Sequence, residues 1–301
     1  MTPPRAMSLL SKLFKDPPPT HAFELSEGGI AFADVSQPAQ SGFTPFEAGV
    51  LVASPVHDNI QQPGLVQERI RASVASNGHR KRRAALILPD YCARVAVLDF
   101  DSFPDAHEER QALLRFRMKK SVPFDVDSAV VSFSVQPRRG EASHSKVEVL
   151  AAIIAAEIVA RYEAPFRGLG FQPGFVTTSS LAALNLIQPD EISMLVKLGG
   201  HVLSVVVLQG SALKLARSVE LDSDQAEEIE AVLHPTVAYV EDELKARPKR
   251  IWLAGFGARG SSLAQRWQTE WSVAAQPIES RFGAPGPHNA GLLGYLESVA
   301  G

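Results

Sequence analysis

The chain has 301 residues, 45% of them hydrophobic and 21% charged, which excludes a largely disordered protein and predicts about two domains. Its formal net charge of −3 excludes a nucleic-acid binder held by bulk electrostatics. The single cysteine, Cys92, excludes an internal disulfide framework and a cysteine-rich zinc site.

Residues 1–20 are predicted to form a flexible N-terminus. They contain a proline run at 17–19, and chain ends ordinarily fray. The alternative is a short basic amphipathic turn over residues 7–15 that lies on anionic lipid. The longest charge-free apolar run, at 149–156, falls well short of the roughly 20 residues of a membrane span.

The first elements after the prolines alternate between strand and helix. A glycine turn at 27–29 joins two strands into a hairpin, and a continuous apolar run at 84–88 is typical of a strand covered on both faces. In chain order, the pattern predicts strands at 21–25, 29–35 and 49–54, a helix at 64–76 and a strand at 84–88.

A second group of elements follows. Its amphipathic helix ends at the segment 121–124, because Pro123 cannot continue a helix. The group comprises a strand at 93–100, a helix at 105–120, strands at 130–135 and 147–154 around a loop at 138–140, a helix at 157–167, a strand at 175–177 and a serine-capped helix at 179–187.

The last third begins at Pro189-Asp190, which is the strongest candidate for a domain boundary. Glycines at 199–200 and 210 mark the turns of three successive strands, and Pro235 should kink or split the long helix. The predicted elements are strands at 193–198, 202–208 and 212–218, a helix at 225–244, a strand at 250–254 and helices at 261–267 and 289–299.

The chain contains two groups of three successive predicted strands, and each group is followed by helices and further strands. This order indicates a duplicated α/β organisation, although no residue pattern repeats. This order resembles the actin-like (ribonuclease H-like) ATPase fold, with two similar domains and a nucleotide cleft between them. The resemblance implies a first domain at 21–90 and 171–189, an inserted small α+β subdomain at 91–170 and a second domain at 190–301.

Within that superfamily, several stretches resemble the type IV pilus assembly protein PilM. They are the segment 110–135 with Val122-Pro123-Phe124, the strand ending in Leu88-Pro89, the segment 149–173 and the helix that begins near Ala290-Gly291-Leu292. The resemblance extends over about residues 20–300. It implies that the nucleotide chemistry depends on three glycine-bearing turns.

The first turn departs from the family pattern. ATP-hydrolysing relatives carry Asp-x-Gly in the first hairpin, where the carboxylate holds hydrated magnesium and backbone amides contact phosphate. The matching residues here are Glu24 and Ser26, so the carboxylate is longer and a side chain replaces the glycine. Where PilM proteins usually have a lysine near the phosphates, this chain has Ala31.

The second turn departs further. Relatives again carry Asp-x-Gly, whereas this chain has Lys197, Gly199 and Gly200. A lysine can pair with a phosphate but cannot recruit magnesium, and the missing aspartate would orient metal and attacking water in phosphoryl transfer.

The third turn resembles the family's adenosine-binding turn. Gly255 and Gly257 are kept, but Phe256 replaces the middle glycine. A tight strand-to-helix turn that binds no ligand explains the two glycines equally well. Because all three turns depart from the family pattern, we expect ATP hydrolysis to be weak or absent. ATP binding is either lost, or ATP is kept as a structural ligand. No histidine pair has metal spacing, so we expect no metal site.

The resemblance also implies a partner. PilM proteins capture the N-terminal cytoplasmic peptide of the inner-membrane protein PilN in a groove between the first domain and the inserted subdomain. Phe116, Val122 and Phe124 are the candidate apolar residues of that groove. The alternative is that all three pack the core of the subdomain.

The sequence therefore favours a cytoplasmic scaffold of a pilus or secretion assembly complex that meets the inner membrane peripherally, through a PilN-type protein and other assembly proteins. An active ATPase or sugar-kinase-like enzyme on the same fold is the main alternative, and would need an acid at or near Lys197. A third reading is the cytoplasmic domain of a GspL-type secretion protein, which would continue into a transmembrane helix.

Overall fold

The computed structural model describes residues 19–74, 82–137 and 146–300. The N-terminus predicted to be flexible therefore lies, up to residue 18, outside the described residues, as does the predicted loop at 138–140. The described part contains thirteen strands, numbered in chain order: β1 His21–Ser26, β2 Gly29–Asp34, β3 Gly42–Pro45, β4 Arg82–Leu88, β5 Arg94–Phe100, β6 Ala129–Val135, β7 Val147–Ala155, β8 Phe171–Thr178, β9 Ile192–Gly199, β10 Val202–Gln209, β11 Ala212–Glu220, β12 Arg250–Ala254 and β13 Ala274–Pro277.

Seven α-helices connect and cover these strands within the described residues. They are α1 Pro63–Ser73, α2 His107–Met118, α3 Ala156–Arg167, α4 Ser179–Ala183, α5 Ala226–Leu244, α6 Gly260–Trp271 and α7 Ala290–Ala300. A short 3₁₀ turn, Asp90–Cys92, follows β4 and lies at the carboxyl end of that strand.

The first sheet has the order β3-β2-β1-β4-β8, with β1 parallel to β4 and β4 parallel to β8. Helices α1 and α3 cover one face through side chains such as Ile70 and Tyr162. Helices α4 and α7 cover the other face through Ala182 and Leu292. Both faces are therefore buried, which explains the continuous apolar sequence of β4.

The second sheet repeats this plan with the order β11-β10-β9-β12-β13. Helices α5 and α6 cover its outer face, where Leu233 and Trp267 are fully buried. Its inner face packs Leu195 and Val206 against Ala183 of α4 and Ala290 of α7. The two sheets therefore enclose α4 and α7, and the carboxyl ends of β4 and β9 approach each other between them.

The third sheet is antiparallel, with the order β5-β7-β6, and belongs to the segment predicted as an inserted subdomain. Helix α2 covers one face through Leu114 and Met118. The other face contributes Val97 and Leu150 to the core that contains the inner face of the second sheet. The small subdomain is therefore packed against the second sheet.

Several local predictions were wrong. The segment predicted as a strand at 49–54 forms only an isolated bridge from Leu51 to Ile60, and the third strand lies at Gly42–Pro45. Val50 and Leu51 are buried as core side chains of a loop, which gives the same apolar signal as a strand. Strand β13 was not predicted.

Three further observations concern the helices. Pro235 was predicted to kink or split the long helix; α5 is not split and extends from Ala226 to Leu244, with Leu233 and Val240 on either side of the proline buried in the same core. The residue at the N-cap of α4 is Thr178 and not a serine, and its side chain makes no capping hydrogen bond. Helix α7 follows the second sheet in the chain but packs against the first.

Candidate functional site

The predicted nucleotide residues of the first two turns lie where the two large sheets face each other. Glu24 is on β1 and Lys197 on β9, and both side chains are buried. Between them stands Asp90, at the start of the 3₁₀ turn after β4. Lys197 Nζ lies 3.1 Å from Asp90 Oδ2, so the lysine of the second domain pairs with an acid of the first.

Each carboxylate oxygen of Asp90 accepts two hydrogen bonds. Its Oδ1 accepts hydrogen bonds from the Ser180 backbone N–H at 2.7 Å and from Ser180 Oγ at 2.8 Å. Its Oδ2 accepts from Lys197 Nζ at 3.1 Å and from Ser204 Oγ at 3.0 Å. Burial alone would raise the pKa of Asp90, but Lys197 and the Ser180 donors outweigh it and hold that pKa below its ordinary value.

Glu24 is held by α4 and α7, the two helices that cover one face of the first sheet. Its Oε1 accepts a hydrogen bond from Ser179 Oγ, and its Oε2 accepts one from the backbone N–H of Leu292 in α7 at 2.7 Å. Burial raises the pKa of Glu24 above its ordinary value, and the opposing effects of Lys197 and the two donors do not compensate. Both cleft carboxylates are thus bound to protein donors.

Ser26 and the two glycines of the second turn, Gly199 and Gly200, have protein groups beside them. Ser26 Oγ donates to the Gly29 carbonyl at 3.1 Å and lies 3.2 Å from His288 Nδ1. Gly199 lies beside Lys197 Nζ, and Gly200 lies beside the carboxylate of Glu27. Ala31 is buried in the core under the first sheet. Each of these positions therefore contacts protein atoms.

The remaining space does not fit a magnesium nucleotide. The cavity lined by Glu24, Ser26, Asp90, Lys197 and Gly199 measures about 30 Å³. That volume holds one or two water molecules, whereas small-molecule sites measure about 300–1,000 Å³. Lys197 supplies the positive charge beside the carboxylates that a metal ion would otherwise supply.

The third turn has a structural reason for its first glycine. Gly255 has a φ of +80°, and a Cβ there would overlap the carbonyl oxygen of Leu198 on the neighbouring strand β9. Phe256 is buried against the ring of Trp267, with ring centroids 6.1 Å apart. Gly257 has a φ of +54° with open space around its Cα. Close packing of the turn on β9 therefore accounts for Gly255 without a ligand.

The three candidate peptide residues do not line one cavity. Phe124 lines a larger cavity, of about 190 Å³, between β5, the 3₁₀ turn after β4 and strand β11. Phe116 is 75% exposed on α2, and neither it nor Val122 lines that cavity. Val122 and Phe124 are partly buried against the core of the third sheet.

Asp90 and its serine partners, Ser180 and Ser204, were not predicted from the sequence as site residues. Asp90 follows a buried strand at the edge where the two sheets meet, and an acid in that position was the available signal. Ser180 and Ser204 could not be recognised as partners of Asp90, because neither serine is part of a sequence motif that indicates a binding site.

Two negative findings concern the described residues. In the ranges 19–74, 82–137 and 146–300, no group of three or more His, Cys, Asp or Glu side chains is placed to hold a metal ion. In the same ranges, no helix is long and apolar enough to cross a membrane.

Comparison with known proteins gives structural but not sequence matches. No protein-family model matches the chain, and no curated protein matches it in sequence. A solved structure described as a PilM–PilN type IV pilus biogenesis complex is similar at a TM-score of 0.70 and 17% identity, over 93% of this chain and 98% of the solved one.

Two further solved structures are similar. A Bacteroides thetaiotaomicron protein of unknown function with an actin-like ATPase fold matches at a TM-score of 0.50 and 12% identity, over 91% of this chain and 95% of its own. The cytoplasmic domain of EpsL, an inner-membrane component of the Vibrio cholerae type II secretion system, matches at 0.48 and 14% identity, over 77% and 80%. The predicted fold is confirmed: the chain has the actin-like ATPase fold, with a third, smaller sheet inserted between the strands of its first sheet.

Proposed function

We propose that this chain is a docking protein of a type IV pilus or related secretion assembly, that it does not hydrolyse ATP, and that it binds the N-terminal cytoplasmic peptide of a PilN-type membrane protein. The observation that carries the proposal is the buried ion pair of Lys197 with Asp90, which occupies the centre of the cleft. The full-length structural likeness to a chain of the PilM–PilN complex supports the choice of partner.

The contacts between the sheets support a rigid platform. Besides the Lys197–Asp90 pair, Tyr91 OH donates to Glu220 Oε2 at 2.7 Å, and His201 Nδ1 lies 3.0 Å from Glu27 Oε2. Each contact joins the β1–β2 turn or the 3₁₀ turn after β4 to the second sheet or its β9–β10 turn. A nucleotide that opened the cleft would have to break these contacts and separate Asp90 from its paired lysine, which costs free energy.

The small subdomain is fixed to the second sheet in a similar way. The buried Gln136 side chain donates to the Leu213 carbonyl at 2.7 Å and accepts from the Leu213 N–H at 2.7 Å. Lys214 forms an ion pair with Glu148 beside it. The cavity lined by Phe124 therefore has walls that are already positioned, which lowers the cost of ordering a docking site on binding.

Phe124→Ala should weaken binding of the N-terminal cytoplasmic peptide of the cell's PilN-type protein by about tenfold or more, because an aromatic anchor in a pre-formed pocket carries much of the binding energy. Fluorescence anisotropy with a labelled peptide and the full chain measures the change. Thermal melting shows whether the variant keeps its fold.

Phe116→Ala is the matched control. Phe116 is also a phenylalanine of the small subdomain, but it lies outside the cavity, so we expect its removal to change the affinity little. Equal losses for both variants, or a loss for Phe116→Ala alone, would move the docking site to the exposed face of α2. Peptide binding that neither substitution changes would remove the small subdomain from the proposal.

A further inference from the structure

The 190 Å³ cavity beside Phe124 has a cationic half that the proposed docking function does not require. Arg94, at the start of β5, and Arg217, on β11, both line it. Among the described residues Arg94 has no ion-pair partner, and its buried Nε has no hydrogen-bond acceptor. Arg217 has one side-chain hydrogen bond, from Nη1 to Thr236 Oγ1 at 3.3 Å.

Among the described residues that line the cavity, Asp90 is the one acid, and it does not neutralise these arginines. Asp90 is already paired with Lys197 and accepts three further hydrogen bonds from Ser180 and Ser204. Its charge is therefore compensated inside the cleft. The cavity keeps an excess of positive charge, and guanidinium groups bind carboxylates through two parallel hydrogen bonds.

A hydroxyl group adds a second observation that points to a ligand. Thr178 lines the cavity and is 6% exposed, and its Oγ1 has no hydrogen-bond partner among the described residues. A buried hydroxyl without a partner costs free energy, so such groups are usually paired with protein, water or ligand. A rotation of its side chain would let Thr178 Oγ1 donate to the oxygen atom of an entering anionic group.

The opposite half of the cavity is apolar. It is lined by Pro123, Phe124, Leu181 and Val206. A volume of about 190 Å³ is below the range of small-molecule sites, about 300–1,000 Å³, and is suited to one or two side chains of a peptide.

We infer that this cavity selects a peptide that places an Asp or Glu carboxylate between Arg94 and Arg217 and an adjacent apolar side chain against Phe124. The inference rests on the proposed docking function and adds a chemical requirement to it: the bound segment carries an acidic residue beside an apolar one. After small side-chain rotations, the carboxylate supplies the acceptors that the buried atoms Arg94 Nε and Thr178 Oγ1 lack in the described structure.

The test is a selection of phage-displayed random short peptides on the immobilised full chain, on Arg94→Met/Arg217→Met and on the control Arg247→Met. Methionine keeps the apolar stem of arginine and removes its charge, and Arg247 is an exposed arginine of the second domain. We expect the native chain and the control to enrich peptides with Asp or Glu beside Leu, Ile or Phe. The double variant should lose this preference.

A binding titration then assigns the acid. Replacing Glu by Gln in the selected peptide should weaken binding to the native chain by about tenfold, and should change binding to the double variant little. Thermal melting checks each fold, and Arg94→Gln serves as a milder second variant.

The outcomes separate this inference from the proposed function. Suppose that the enriched peptides lose affinity for Phe124→Ala but show no preference for Asp or Glu. That result would overturn the inference and leave the docking function standing. An equal Glu-to-Gln loss on the native chain and on the double variant would also overturn it, because the acid would then bind elsewhere. Failure to enrich any peptide that needs Phe124 would count against both.

Discussion

Lys197→Met is expected to lower the free energy of unfolding by about 3–5 kcal/mol, since it leaves the Asp90 carboxylate buried without its cation. Lys197 and Asp90 are both almost completely buried, and the one or two water molecules that the adjoining 30 Å³ cavity can hold do not replace the positive charge of the lysine. Denaturant unfolding at neutral pH, followed by circular dichroism, measures the change. The loss should shrink in acid, where the uncompensated Asp90 becomes protonated.

The double variant Asp90→Asn/Lys197→Met is the control for this expectation. It removes both charges, and the amide oxygen can still accept hydrogen bonds from Ser180, so we expect it to be more stable than Lys197→Met alone. If the single variant loses less than 1 kcal/mol, on the order of an exposed pair, then the cleft is open to water and the closed-cleft account fails.

Gly255→Ala is expected to cost about 2–5 kcal/mol. Two effects add: a side chain at a φ of +80° is strained, and the new Cβ overlaps the carbonyl oxygen of Leu198, so the turn must move away from β9. The same denaturant experiment measures it. The structural reading of the third turn predicts this cost in the protein without any ligand.

Gly257→Ala is the matched control in the same turn. Gly257 has a φ of +54° but open space around it, so only the conformational strain remains, about 1 kcal/mol. Equal costs at both positions would show that contact of the turn with Leu198 does not constrain Gly255. A preserved stability with Gly255→Ala would leave ligand binding as the reason for the glycine.

The fold could be predicted where local pattern and burial agree. The first hairpin and the continuous apolar run of β4 were predicted close to their observed bounds. A glycine turn between two short apolar segments is typical of a hairpin, and a short apolar run is typical of a strand buried on both faces. The prediction failed at 49–54, where buried Val50 and Leu51 belong to a loop. A buried loop and a buried strand both contain consecutive apolar residues, and only pairing with a neighbouring strand distinguishes the two.

The site could be predicted in part. The resemblance directed attention to Glu24 and Lys197, which the structure brings to the same cleft. The partner of Lys197 could not be found, because Asp90 lies 107 residues away and only the packing of the two sheets brings them together. The hydrogen bond from Leu292 of α7 to Glu24 joins residues that are 268 positions apart, so it could not be predicted from the local sequence either.

A calorimetric titration of the purified full chain with ATP, with and without magnesium, tests the central claim most directly. The closed cleft, with its cavity of about 30 Å³ and its internal Lys197–Asp90 pair, predicts no binding heat up to millimolar ATP in either condition. Magnesium-dependent binding in the micromolar range, with hydrolysis lost in Glu24→Gln, would contradict the account and identify an active ATPase of the same fold.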